Sequence, residues 1–231
     1  MGHIMKATPS RPTLVERNAA RPHDRRERHR AETRARLYRA ALDLFAERGF
    51  METTVEDITE AADVGKGTFF NYFPTKEHVL AAYGTERVAR VQRALEEART
   101  GERPVQEVIR ELAADSAGQS KENPGLLRAI YAAHVSCAPV RVELQKRMRL
   151  ARRILARIFA LAQERGEVRR DISTAELARV TQMSLMGVAM VWALQPDNSL
   201  RKTSLEIWDL MWPTLAQPGS AAGPGWKRLR A

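Results

Sequence analysis

The chain has 231 residues, 44% of them hydrophobic and 29% charged, with a net charge of +10; this balance suits a soluble globular protein with ample core. A single cysteine, Cys137, excludes an intramolecular disulfide and a cysteine-rich zinc site, and it fits a reducing compartment. Residues 1–30 contain several arginines and no apolar run, so no secretory signal is expected and the location reads as cytoplasmic.

The charge is unevenly spread. Residues 1–30 hold eight basic groups (Lys6, Arg11, Arg17, Arg21, Arg25, Arg26, Arg28, Arg30) against three acidic ones (Glu16, Asp24, Glu27). With Pro9, Pro12 and Pro22, residues 1–24 read as a disordered basic arm. Asp24, with Glu27 at its third position, can then cap a helix running to Arg48. Leu37, Ala41, Leu44 and Phe45 give that helix one buried face, and Gly49 supplies its stop.

Two short helical patterns around a tight turn follow. Thr54 with Asp57 forms a capping box, and Val55, Ile58, Ala61 and Ala62 make one apolar face. Asp63-Val64-Gly65 is the turn. Lys66 to Phe73 reads as a helix of about eight residues, roughly 12 Å, the width of a DNA major groove, ended by Pro74. At 100° per residue Phe69 and Phe73 point inward, whereas Gly67 and Asn71 lie opposite with Thr68 and Phe70 on the shoulders. Such a face can read base edges: Gly67 lets backbone approach, Asn71 can pair bidentately with adenine, and Phe70 can touch a thymine methyl. Lys66 and Tyr72 can reach the rim or phosphates. Thr75 is expected to cap the next helix, leaving Lys76 in a first turn suited to a phosphate.

The stretch from Leu37-Tyr38-Arg39-Ala40-Ala41-Leu42 through Arg48-Gly49-Phe50, then Lys66-Gly67-Thr68 and Tyr72-Phe73-Pro74-Thr75-Lys76-Glu77, resembles the helix-turn-helix of TetR-family transcriptional regulators. The resemblance covers under a quarter of the chain. Asp63 and Gly65 stand where the family commonly has glycine and a hydroxyl, and Phe70 where it commonly has tyrosine; Asp tolerates the left-handed conformation and Gly is a fair cap. What the resemblance implies is an all-α fold of about nine helices: a helix-turn-helix domain over 25–77, a helical regulatory and dimerisation domain over 78–216, and a tail over 217–231. Its implied DNA contacts are Thr53, Thr54, Lys66, Gly67, Thr68, Phe70, Asn71, Tyr72 and Lys76. An arginine-rich arm ahead of such a module can lie on phosphates or enter the minor groove.

Beyond Lys76, Val79, Leu80, Tyr83, Val88, Val91 and Leu95 continue a helix to Gly101. Pro104 opens another from Val105 to about Ser116, and Asn123-Pro124 a third bearing Leu127, Ile130, Tyr131 and His134. Pro139 to Arg165 is a long basic amphipathic helix. Ser173 and Glu176 form a second capping box. From Val180 to Leu194 there is no charge, and apolar side chains fall all round. Too short and too polar for a comfortable bilayer span, this helix is expected to pack one face on its own core and another on a partner. The last helix, Leu200 to Leu215, contributes Leu205, Trp208, Met211 and Trp212.

A homodimer through these two helices is therefore expected, with Leu185, Val188, Ala189, Trp192, Leu205 and Trp208 at the interface. The resemblance further implies a small apolar or amphipathic ligand between the helices; Tyr131, His134, Met148, Phe159, Met183 and Met186 are the expected wall. Catalysis has little support. The five histidines show no metal-ligand spacing, His134 and Cys137 read as a structural pair, and no phosphate loop surrounds Gly65 and Gly67. Neither cofactor nor metal is expected. The expected activity is a homodimeric repressor that leaves a palindromic operator in double-stranded DNA when ligand binds; the alternative is a constitutive or architectural DNA-binding regulator without inducer.

Overall fold

The computed structural model describes residues 22–115 and 123–218; most of the expected arm (1–21), Ser116 and the tail from 219 lie outside the described residues. Nine α-helices and no strand occur among those described. α1 spans Pro22–Arg48, two residues earlier than its expected cap, so Asp24 lies within the helix. Gly49, at φ +91°, ends it. Leu37, Ala41, Leu44 and Phe45 are buried as their spacing requires, but residues 25–32 touch no core and continue the helix into solvent.

α2 (Val55–Ala61) begins at the expected capping box: Asp57 N–H donates to Thr54 Oγ1 at 3.1 Å, and Thr54 N–H to Asp57 Oδ2 at 2.8 Å. Ile58 and Ala62 are buried, whereas Ala61 is exposed, which narrows its expected apolar face. The turn works as read. Asp63 takes φ +51°, and Gly65 is the N-cap of α3 with no side-chain bond.

α4 (Glu77–Thr100) ends at left-handed Gly101; α5 (Val105–Ala114) follows Pro104; α6 (Pro124–Ser136) is capped by Asn123, whose Oδ1 accepts from Leu126 N–H at 3.1 Å. α7 (Ala138–Glu164) precedes left-handed Gly166. α8 (Thr174–Leu194) starts at the Ser173–Glu176 capping box, and α9 (Leu200–Leu215) at Ser199.

Two apolar cores result. The first gathers Leu37, Phe45, Ile58, Phe69 and Phe73 with Leu80 and Tyr83 of α4, Leu127 and Ile130 of α6, and Trp192 of α8. The second joins Leu95 and Ala98 of α4 to Ile109, Phe159, Leu177 and Trp208. Both α4 and α8 therefore run through both cores, which places the reading end and the helical body on shared rods.

Candidate DNA-reading surface and ligand cavity

α3 spans only Lys66–Phe70, about 7.5 Å rather than 12 Å of helix. The amides of Tyr72 and Phe73 both donate to Phe69 O at 2.9 Å, and Pro74 cannot extend the ladder. Asn71 is thus the C-cap, still with helical φ and ψ. The face itself follows the sequence phase. Phe69 and Phe73 are buried, Lys66, Gly67, Phe70 and Asn71 are exposed, and Thr68 and Tyr72 are half-buried. Phe70 is 47% exposed, an uncommon position for a ring without an external partner. Thr54 is exposed one helix away, at the cap of α2.

Two expected contacts, and one expected cap, take other roles. Thr53 is fully buried, its hydroxyl donating to Gly49 O at 2.8 Å and Leu44 O at 3.4 Å, so it closes the turn after α1 and is out of reach of DNA. Lys76 turns inward: Nζ donates to the carbonyls of Phe50 (2.9 Å), Met51 (3.2 Å) and Thr53 (2.9 Å) and lies 4.7 Å from the centre of the Phe50 ring. All three ammonium protons are used, so this group pins the α1–α2 turn; a phosphate would have to break that pin. Nor does Thr75 cap α4. The N-cap is Lys76, and Thr75 Oγ1 bonds His78 Nδ1 at 3.0 Å. Lys66 remains on the surface, paired with Glu56, whose carboxyl this partner holds below its ordinary pKa. Arg34, absent from the sequence reading, stacks 5.2 Å from the centre of Phe73 and ties α1 to the end of the reading segment.

A cavity of about 510 Å³ lies between α4, α6, α7 and α8, within the range of small-molecule sites. Of the six residues named for a ligand wall, Tyr131, His134, Met148 and Met186 line it. Phe159 does not; it is fully buried in the second core, and Met183 points out of the molecule with 56% exposure. Leu185, expected at a dimer interface, lines the cavity instead. The polar atoms inside are mostly spoken for. Tyr131 donates to Met186 O at 3.2 Å, and Gln182 donates to Met148 O at 2.9 Å while accepting from Arg152 at 3.0 Å. Burial, reinforced by the nearby Arg87 charge, lowers the His134 pKa to about 4, so its ring is neutral near pH 7. Burial raises the Tyr131 phenol. Among the described residues no group of three His, Cys, Asp or Glu side chains could hold a metal.

The outer face of α8 differs from the expected one. Ala189, Trp192 and Trp208 are internal, and the Trp208 indole donates to Gln106 O at 3.2 Å; Val188 packs against the first core and Leu205 is half-buried. The exposed apolar residues of α8 are Val180, Met183, Met190, Val191 and Leu194, each 42–64% exposed; on α9, Leu210 is 48% exposed. The five on α8 fall on one stripe because, counted from Val180, offsets of three, ten, eleven and fourteen return to one helical side. At 21 residues α8 also has the length and hydropathy of a bilayer-crossing segment, more than its charge-free core suggested. Its inner face, however, carries Leu177, Ala178, Ala189 and Trp192 into the two cores.

An all-α chain with a buried-Phe reading segment after a capped helix and a tight turn, joined to a cavity-bearing body, is a helix-turn-helix DNA-binding regulator. Residues 37–83 match the profile of bacterial regulatory proteins of the tetR family. The chain is 31% identical to Thermus thermophilus FadR, a TetR-family repressor solved in complex with lauroyl-CoA, covering 78% of this chain and 93% of that one with a TM-score of 0.57. It is 28% identical over 167 residues to the transcriptional repressor DhaR of Mycobacterium sp. strain GP1, 70% of this chain and 82% of DhaR. Its match to the regulator TcmR of Streptomyces glaucescens, 37% identical, spans 44% of this chain but only 40% of TcmR. SmeT of Stenotrophomonas maltophilia, at 22% identity and a TM-score of 0.66, shares the fold over 80% of this chain and 91% of its own. The chain belongs to the TetR family: it is a DNA-binding transcriptional regulator and not an enzyme.

Proposed function

We propose that the protein is a homodimeric repressor whose hold on a palindromic operator is released by a small apolar or amphipathic molecule in the α4–α6–α7–α8 cavity. The observation that carries this reading is the course of α4. It leaves the reading segment at Glu77 and lines the cavity from there to Val91. A ligand that prefers a shifted α4 therefore displaces the helix holding α3 in place, and the free-energy difference between its two bound states is what weakens DNA binding. Lauroyl-CoA in the Thermus FadR complex is an amphipathic molecule of this broad kind.

Exposed Thr54, Lys66, Gly67, Phe70 and Asn71 would meet the groove, with half-buried Thr68 and Tyr72 at its margins. The residues from 31 to 76 lack a basic excess, so the attraction to phosphates would come from the solvent-projecting start of α1, with Arg25, Arg26 and Arg30. The second copy would cover the stripe from Val180 to Leu194 and Leu210. Two reading segments would then sit on one face of the duplex, one helical turn apart. Residues 25–77 would form the reading unit and 78–216 the regulatory one.

Selection of bound sites from a random DNA pool, followed by anisotropy titrations of the selected duplex, tests the reading. Symmetric sites, with affinity lowered by a cavity ligand, are expected. Asymmetric sites bound by a monomer would refute the dimer, and an affinity indifferent to every cavity-binding molecule would leave a constitutive regulator.

A further inference from the structure

The charges around the cavity do not cancel locally. Arg90 donates to Asp115 O at 2.7 Å with the carboxylate at 3.7 Å, and Arg147 pairs with Glu143 at 2.9 Å. Arg87 has no hydrogen-bond or ion-pair partner among the described residues. The one lining carboxylate left without an ion pair among the described residues, Glu77, stands ten residues back along α4, about 15 Å at the helical rise, too far to neutralise it. Arg147 comes close as a second cation: its side chain lies across Gly84, one turn before Arg87, at 2.9 Å from where a Cβ would stand. A half-buried guanidinium without a counter-charge is costly to hold, and the cost is relieved by an anion that enters the same space.

His134 adds a donor. Its Nδ1 is buried and has no partner among the described residues. A proton there would have no acceptor, so the neutral ring is better served by carrying it on Nε2. Tyr131, whose own proton is given to Met186 O, contributes only acceptor capacity. Arg87 and His134 are thus two donors set in an apolar wall that includes Val88, Ile130 and Leu155.

Resting on the cavity's role as the effector site, we infer that the effector is an amphiphile with an anionic oxygen headgroup, a carboxylate or phosphate, seated on Arg87 with His134 donating to it and the apolar part along Val88, Ile130 and Leu155. The headgroup and the tail have separate consequences. The tail supplies affinity common to any alkyl compound, whereas the anion supplies a charge-assisted contact that a neutral or cationic head cannot make.

The test titrates the intact protein with decanoate, decanol and decyltrimethylammonium below their micellar concentrations, by calorimetry and by thermal shift. Decanoate is expected to bind at least about tenfold more tightly than decanol, the alkylammonium least. Arg87→Gln should remove the preference, bringing decanoate to within a few-fold of decanol; Arg87→Lys should restore part of it, and Arg149→Gln on the outer face of α7 should leave it intact. Decanol binding as well as decanoate, or a preference that survives Arg87→Gln, overturns the headgroup assignment and leaves the cavity as an effector site. Failure of all three compounds to bind overturns both. Arg87→Gln and Arg87→Lys are checked by circular dichroism, and the Lys variant answers the question if the Gln variant does not fold.

Discussion

Replacing Lys76 by Met separates two roles that the same lysine could play. In the structure its ammonium donates to three carbonyls of the segment from Phe50 to Thr53 and stacks on Phe50. Hydrogen bonds from a charged donor contribute about 1.5–3 kcal/mol each when buried. Lys76 is only half-buried and the Met51 carbonyl is exposed, so two bonds at the low end are counted, about 3 kcal/mol together. For a chain of this size each kcal/mol lowers Tm by about 2–4 °C. Differential scanning fluorimetry should therefore show Lys76→Met melting about 6–12 °C lower. A phosphate contact would behave in the opposite way: Tm would hardly move, and the slope of log K against log salt would flatten by about 0.9. With Lys76 as a pin the slope stays and the affinity falls uniformly as the α1–α2 turn loosens. An unchanged Tm with a flatter salt slope would refute the pin.

The α8 stripe makes its own prediction: Met190→Glu with Leu194→Glu should give a monomer by light scattering with the helical content intact, whereas Trp208→Arg, buried in the second core, should unfold the subunit. Replacing Arg25, Arg26 and Arg30 by Gln should leave the selected sequence unchanged and flatten the salt dependence by up to about 2.7, three phosphates' worth; an unaltered slope would remove the start of α1 from the duplex. His134 sets a pH limb. Its folded pKa of about 4 lies below the ordinary 6.5, so the unfolded chain binds the extra proton as pH falls from 6.5 to 4, and stability is lost over that interval. Denaturant melts of His134→Asn across this range should lack that loss relative to the parent chain.

The parts of the fold that could be read from sequence are those fixed by neighbours in the chain. Both capping boxes, Thr54–Asp57 and Ser173–Glu176, and the stops at Gly49 and Gly101 are local chemistry, and they stand where the residues put them. Asp63 in the left-handed region belongs to the same class. Thr53 and Lys76 could not be read in this way, because their partners are set by the folding of the α1–α2 turn against the start of α4, more than twenty residues along the chain for Lys76. The length of α3 escaped because the apolar phase of Phe69 and Phe73 continues past the point where the amides of Tyr72 and Phe73 converge on one carbonyl. α8 is the clearest failure of periodicity. A helix apolar on every side has no preferred direction, so its sequence announces two buried faces without saying which is internal.

That symmetry bears on how the cavity communicates with DNA. The first core holds the reading segment against α6 and α8 as well as α4, so α4 is not the sole connection. Gly125, in the first turn of α6, approaches the backbone of α1 so closely that a Cβ there would stand 2.4 Å from Ala46 O. The two helices that bracket Arg87 and His134 thus each bear on the reading unit, α4 through the chain itself and α6 by steric contact at the end of α1. Under the proposed mechanism, a ligand that fits the cavity without parting α4 from α6 would bind and release nothing. A hundredfold loss of operator affinity requires the ligand to favour the parted arrangement by about 2.8 kcal/mol. Tight binding alone does not distinguish an inducer from an inert occupant; only the difference between its affinities for free and DNA-bound protein does.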